Sequence, residues 1–261
     1  MSVGERLRLS IMAGFGATPA RMAFYVFMAG TAYLVVRFIL QRWFRHRRIS
    51  RLEASSGQMR REFLQSMRTI VIFGAVHGFL VYAALSGWTQ LYRRVDSYGW
   101  VWLGISIGIM VLLHDTYFYW THRLMHHPRL FKAMHSTHHQ SICTTPWAAY
   151  SFSSAEALVQ AGIAPLIAFT VPVHPVAFGV FMIWQMGFNV AGHCGYELFP
   201  RRFMGSRLAG ILNSVTHHGL HHEKVNGNFG LYFNVWDRLM GTTHAHYETR
   251  FNELTNHVVE G

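Results

Sequence analysis

Long apolar segments constrain the fold of this chain more than any other feature of its sequence. Residues 22–40, 69–88 and 100–120 each have about the 20 residues that a helix needs to cross the hydrocarbon core of a bilayer. Two shorter apolar segments, near 156–171 and 176–193, are joined by the sequence VPVHP and predict a tight helical hairpin. We therefore predict an all-α integral membrane bundle with four or five spanning helices.

The distribution of arginine predicts how this bundle is oriented. Only 13% of the residues are charged, and the formal net charge is +11. A basic chain can indicate a nucleic-acid partner, but these arginines flank apolar segments, which is the pattern of membrane topology. Eight arginines lie in 41–68 and two in 89–99. The positive-inside rule places 41–68 in the cytoplasm, together with 121–155 and the chain after 194, and we predict no nucleic-acid partner.

One further segment has an amphipathic pattern. In 198–212, phenylalanine, leucine and isoleucine alternate with three arginines. This pattern predicts a helix that lies in the plane of the lipid headgroups, or an ordinary cytosolic helix that packs on the domain.

Histidine is the unusual residue of the composition: the chain has 18 histidines against 12 acidic residues. Two cysteines cannot form a cysteine-ligated zinc or iron–sulfur site, and neither H-E-x-x-H nor E-x-x-H occurs. Nine of the 18 histidines fall in one H-x-x-x-H pair, two H-x-x-H-H clusters and the sequence GHCGYE. The candidate ligands are His122, His126, His135, His138, His139, His193, His218, His221 and His222.

The spacing of these histidines predicts two metal ions. On a helix, positions i and i+4 share a face, whereas adjacent positions are rotated by about 100°. Within each H-x-x-H-H cluster, neighbouring histidines can therefore face different ions. Neutral imidazoles suit iron, zinc, copper or nickel, and the number of candidates exceeds the ligands of one ion. All these clusters fall on the predicted cytoplasmic side of the bundle, where they form a predicted histidine-rich helical cap.

These motifs carry a family resemblance. HDTYFYWTHRLMHH at 114–127, HSTHH at 135–139, HCGYE at 193–197 and HHGLHH with the following NFG and WDRLMGT at 217–242 resemble the fatty acid hydroxylase/sterol desaturase superfamily. The resemblance covers roughly 100–243 and implies a catalytic domain over 100–261. Residues 1–99 would then form membrane anchor helices and a basic cytoplasmic loop.

The resemblance implies what the site binds and does. Members are integral membrane oxygenases with a histidine-ligated di-iron centre, which use O2 and external electrons to hydroxylate or desaturate lipids. It implies two iron ions, O2 as co-substrate, a lipid substrate and a separate redox protein as electron donor. The nine candidate histidines would be the metal ligands, with no catalytic residue beyond the metal centre and no other cofactor site.

Several assignments stay open at this stage. His127 can replace His126 if the first pair is spaced H-x-x-x-x-H, and His217 can replace or assist His218. Asn189 stands where some relatives have a histidine, and it is a weak or water-bridged ligand or none. Two residues near the first motif could be ligands or hydrogen-bond partners of ligands, namely His114 and Asp115.

Two other classes of protein also use histidine-rich membrane chains. A metal transporter would place its ligands near the bilayer midplane on broken helices, whereas these clusters fall outside the predicted spans. A membrane zinc hydrolase would need a general-base carboxylate placed as in known zinc motifs.

Overall fold

The computed structural model describes residues 1–256, and helices form the regular structure of that range. No strand occurs within it, apart from isolated bridges such as Leu212 with Phe233. In chain order the α-helices of five or more residues are α1 (Val3–Ile11), α2 (Thr18–Val35), α3 (Ser56–Leu85), α4 (Gly99–Met125), α5 (Pro128–Met134), α6 (Ser154–Ala161), α7 (Ile163–Thr170), α8 (Pro175–Gly192), α9 (Val215–Lys224), α10 (Val235–Leu239) and α11 (Tyr247–Thr255).

Four helical stretches of the described chain are long and apolar enough to cross a membrane. They are Val3–Trp43, Ser56–Leu85, Gly99–Met125 and Pro175–Gly192. The predicted all-α membrane bundle is thus confirmed. The first arm of the predicted hairpin, Ser154–Thr170, is shorter than these four and is divided into α6 and α7 at Gly162.

The first stretch begins earlier than the apolar segment 22–40. α1 is followed by a π-helical segment, Met12–Gly16, and then by α2. This N-terminal part packs against α3 at a close crossing, where Ser10 Oγ donates to the Gly78 carbonyl at 2.6 Å. A Cβ added at Gly14 would lie 2.8 Å from the Gly74 carbonyl oxygen, so glycine is needed for this approach.

The segment 198–212 does not form the predicted amphipathic helix. It holds two 3₁₀ turns, Arg201–Phe203 and Arg207–Gly210, because Phe203 and Ala209 turn inward to pack with Tyr247 and Phe251. This packing ties the segment to α11 and leaves Leu208 exposed.

An apolar core aligns the ends of the two helices that deliver the first histidines. Met110 of α4 packs with Ile167 of α7 and with Phe181 of α8. Close van der Waals packing of such large side chains stabilises the pairing of helices within a bilayer, where lipid tails are as apolar as the side chains themselves. The end of α4 and the end of α8 thereby lie on the same side of the bundle, and the histidine-rich segments close over them.

Candidate metal centre

The nine candidate histidines converge into two groups. Within each group, one nitrogen from every histidine lies within 4.8 Å of the others. The five-histidine group is His122, His126, His135, His139 and His221, and the four-histidine group is His138, His193, His218 and His222. No other cluster of three or more potential ligands occurs among the residues that the structure describes.

The five-histidine group is assembled from three parts of the chain. His122 lies in the last turn of α4, and its Nε2 is 2.9 Å from Nε2 of His135, the residue that caps α5. Nε2 of His126 and Nε2 of His139 are 3.2 Å apart. His221 of α9 completes the group, and its buried Nε2 has no hydrogen-bond partner among the described residues.

The four-histidine group joins α8, α9 and the loop after α5. Nε2 of His193, directly after α8, lies 3.3 Å from Nε2 of His138 and 3.0 Å from Nε2 of His218. Nε2 of His222 lies 3.1 Å from Nε2 of His218. All four side chains are buried.

The two H-x-x-H-H clusters each contribute to both groups. On α9, His218 and His222 belong to one group and His221 to the other, as expected for positions that share a helical face and one that does not. In the first cluster, His135 and His139 share a group that excludes His138. That cluster is not one helix, since α5 ends at Met134 and a 3₁₀ turn begins at His138.

The nitrogen–nitrogen distances suit metal ligands. An ion with metal–nitrogen bonds of about 2.1 Å places two ligands at right angles about 3.0 Å apart. The Nε2–Nε2 separations of 2.9–3.3 Å match this spacing. The donor set, buried imidazoles with Nε2 atoms turned toward a common point, therefore fits iron, as the sequence predicts.

The outer nitrogens of several histidines have acceptors that orient the rings. Nδ1 of His122 lies 2.8 Å from the Phe229 carbonyl, and Nδ1 of His221 lies 2.7 Å from the Gly227 carbonyl. Nδ1 of His193 lies 2.7 Å from the Asn189 carbonyl. Because Nδ1 donates in each pair, Nε2 carries a free lone pair, which is the tautomer that a metal ligand requires.

Glu156 is a partner that the sequence analysis missed. Its Oε1 lies 2.7 Å from Nδ1 of His135, and both side chains are nearly inaccessible to solvent. Among the described residues, no other side chain forms a hydrogen bond with the Glu156 carboxylate. The signal in the sequence is that Glu156 is the single acidic residue of an otherwise apolar segment, 154–170.

Burial holds the histidines neutral. It lowers the pKa of His193 to about 4, and burial together with the neighbouring imidazoles lowers that of His139 to about 2. Burial also lowers the pKa of His138, His218 and His222 well below the usual value of histidine. The nitrogens can therefore bind a metal ion at neutral pH without first losing a proton.

His127 and His217, the alternatives to His126 and His218 as ligands, have different environments. His127 is exposed, caps α5 through a contact of its Nδ1 with the Arg129 amide at 3.4 Å, and lies outside both groups. His217 is fully buried but also lies outside both groups, with Nε2 3.5 Å from Oδ2 of Asp237. The geometry therefore favours His126 and His218 as the ligands.

None of the remaining candidates contributes a side-chain atom to either histidine group. Nδ1 of His114 is 2.8 Å from the Tyr232 hydroxyl, away from both groups. Asn189 donates through Nδ2 to the Ala149 carbonyl, and it is its backbone carbonyl that accepts from His193. Asp115 contacts no ligand histidine, since its Oδ1 accepts from the backbone amides of Tyr232 and Phe233.

Asp115 and Asp237 together hold the loop that supplies acceptors to the five-histidine group. Asp237 accepts from the amides of Phe229 at 2.9 Å and Gly230 at 2.7 Å. Because the Phe229 carbonyl orients His122, both carboxylates act on that ring through the loop backbone.

Comparison with known proteins identifies the family. A family model described as fatty acid hydroxylase matches residues 107–242, a range that contains both histidine groups. The chain belongs to the fatty acid hydroxylase family. This confirms the resemblance read from the motifs.

The individual proteins to which this chain is similar are named as sterol enzymes. The chain is 29% identical to the Delta(7)-sterol 5(6)-desaturase ERG3B of Gibberella zeae over 90% of its own length and 68% of the relative's. It is 30% identical to the Delta(7)-sterol 5(6)-desaturase erg3C of Aspergillus fumigatus, over 72% of the chain and 64% of the relative. It is 27% identical to the lathosterol oxidase of Rattus norvegicus, over 71% of the chain and 61% of the relative. No solved structure matches the chain.

These relatives support the predicted class of activity, the desaturation or hydroxylation of a lipid by an integral membrane enzyme. The chain spans about two thirds of their length, or somewhat less.

Proposed function

We propose that the protein is an O2-dependent membrane oxidoreductase that holds two iron ions, one in each histidine group, and desaturates or hydroxylates a C–H bond of a lipid. The observation that carries this proposal is the division of nine histidines, eight of them buried and His126 half-buried, into two groups with ligand-like spacing. Bound iron, together with O2 and external electrons, supplies the oxidising power for an unactivated C–H bond.

The residues of the chain have three tasks in this reaction. The Nε2 atoms of the nine histidines bind the ions, and the Phe229, Gly227 and Asn189 carbonyls keep the rings in the required tautomer. Burial of both groups excludes water from the reacting atoms.

The relatives indicate which substrate to test first. Since they are named as desaturases or oxidases of sterols, we propose a sterol or a similar ring lipid as substrate and desaturation as the first reaction to examine. The electrons would come from a separate redox protein. The eight arginines of 41–68 support an active site that faces the cytoplasm, where that partner would bind.

Metal analysis and lipid profiling test the proposal. Protein purified in nanodiscs should contain two irons per chain, and membranes that contain it should gain an oxidised lipid in the presence of labelled O2. Label in a new hydroxyl group indicates hydroxylation, whereas a new double bond without label indicates desaturation. A single zinc ion without O2 consumption would indicate a hydrolase and overturn the proposal, as would metal flux across vesicles without lipid oxidation.

A further inference from the structure

A cavity of about 120 Å³ lies directly against the four-histidine group. Of the nine histidines, it is lined only by His193 and His218, and none of the five-histidine group borders it. We propose that this cavity receives the hydrocarbon segment of the lipid that carries the reacting C–H bond. The inference rests on the proposed function and adds that the substrate approaches the four-histidine group.

The walls of the cavity are suited to hydrocarbon. Phe188, Leu198, Val215 and Leu231 supply large apolar side chains to its lining. Such walls accept hydrocarbon that comes from the bilayer, because an apolar segment needs no hydrogen bond in return.

The polar residues of the lining are largely occupied by the protein itself. Asn189 donates to the Ala149 carbonyl, and Nδ2 of Asn213 donates to the Phe233 carbonyl. Ser214 accepts from the Tyr247 hydroxyl. Oδ1 of Asn213 is a buried acceptor without a partner in the described chain. Hydrocarbon therefore meets few competing polar atoms at this site.

The position of the cavity gives a lipid access to it. Phe188 and His193 lie at the end of α8, one of the four stretches able to cross a membrane. Leu198 lines the cavity although 45% of its surface is exposed, and Trp184, one turn before Phe188 on α8, is 47% exposed. An opening with an apolar rim at the end of a spanning helix favours entry from the bilayer over entry from water.

The volume limits how much of the lipid enters. Sites that enclose a drug-sized ligand have about 300–1,000 Å³. A cavity of about 120 Å³ holds only part of a lipid, so the rest of the molecule would extend past Leu198 along the surface of α8.

A second, larger cavity differs from the first in the residues that line it. It has about 290 Å³ and is lined by Tyr33 and Ile142, but also by Arg37, Glu53 and Glu223. None of the nine histidines borders it, and its charged lining suits polar groups.

Photolabelling tests the inference independently of turnover. The intact protein in phosphatidylcholine nanodiscs would be exposed to a diazirine analogue of cholesterol and, separately, to a diazirine fatty acid. We expect mass spectrometry to find insertion at Leu198, Val215 or Leu231. Insertion at Tyr33 or Ile142, or on the outer surfaces of the spanning helices alone, would overturn the inference.

Three matched substitutions give a second readout. Leu198→Trp should block the cavity and reduce both labelling and turnover by about tenfold or more, since even one methylene in an apolar pocket changes turnover by at least about tenfold. Leu208→Trp and Ile142→Trp change side chains that are 56% and 49% exposed and lie outside this cavity, so labelling and turnover should stay at the wild-type level. Iron content should be the same in all three.

The outcomes separate this inference from the proposed function. If the wild-type protein binds no iron and oxidises no lipid, the proposed function fails, whereas the labelling map still reports where hydrocarbon binds. If the wild-type protein oxidises lipid but Leu198→Trp retains full turnover and labelling, the function stands and the cavity assignment is wrong.

Discussion

Replacing Glu156 by glutamine should weaken metal binding at the five-histidine group and leave the four-histidine group intact. Glu156 contacts Nδ1 of His135, at 2.7 Å, and no ligand of the other group. Glutamine keeps the size of the side chain and one acceptor oxygen. It removes the carboxyl group, whose ionised form strengthens His135 as a donor to a metal ion.

The expected magnitude follows from this contact. Loss of the carboxyl group that contacts the outer nitrogen of a metal ligand lowers affinity by about 10–100-fold, which is about 1.4–2.8 kcal/mol. The effect should lie toward the upper end of this range, because both side chains are almost completely buried and solvent does not screen them.

Dialysis against chelators of increasing strength, followed by iron analysis, measures the effect. Glu156→Gln should lose one iron per chain at a chelator strength at which the wild-type protein retains two. Glu62→Gln is the matched control, since Glu62 is equally buried but is held by Gln58 and Thr145 and forms no hydrogen bond with a ligand histidine. Equal retention in Glu156→Gln and wild type, or equal loss in Glu62→Gln, would refute the reasoning.

Three further predictions concern the ligands and their support. His126→Ala should lower bound iron and abolish turnover, whereas His127→Ala, at an exposed position outside both groups, should leave both unchanged; iron analysis of the pair decides. Asp237→Asn loses charged hydrogen bonds to the loop at Phe229 and should lower the free energy of unfolding by about 1.5–3 kcal/mol, seen as a lower melting temperature; an unchanged melting temperature would contradict it. Iron binding at pH 6.5 should release almost no protons, because burial lowers the pKa of His193 to about 4 and that histidine is already neutral in the metal-free fold. Histidines with the usual pKa of about 6.5 would each release about half a proton when they bind iron at this pH. Calorimetry in two buffers measures the number of protons released and distinguishes the two cases.

The sequence was informative where local spacing decides the geometry. On α9, the positions of His218 and His222 four residues apart were enough to assign them to one group and His221 to another. Apolar length likewise predicted the spanning helices. Both follow from the helical period alone, which requires no knowledge of distant contacts.

The contacts that support the ligands could not be predicted in this way. The Phe229 carbonyl meets His122 across 107 residues of chain, and every residue has a carbonyl, so nothing in the sequence marks this one. The sequence predicts Asp115 as a ligand or as the hydrogen-bond partner of one, but it accepts from backbone amides at 232 and 233. The 198–212 segment has an amphipathic pattern, yet packing of Phe203 on α11 overrides it.

Because each H-x-x-H-H cluster is divided between the two groups, insertions and point substitutions affect the centre differently during evolution. Inserting one residue before His221 in α9 would rotate the following residues by about 100° and displace ligands of both groups in a single event. A point substitution removes one ligand, whereas a change in length disables the pair together. Selection should therefore remove insertions and deletions within 135–139 and 218–222 far more strongly than those in the neighbouring loops. A related protein that binds one ion would have to arise by substitution alone.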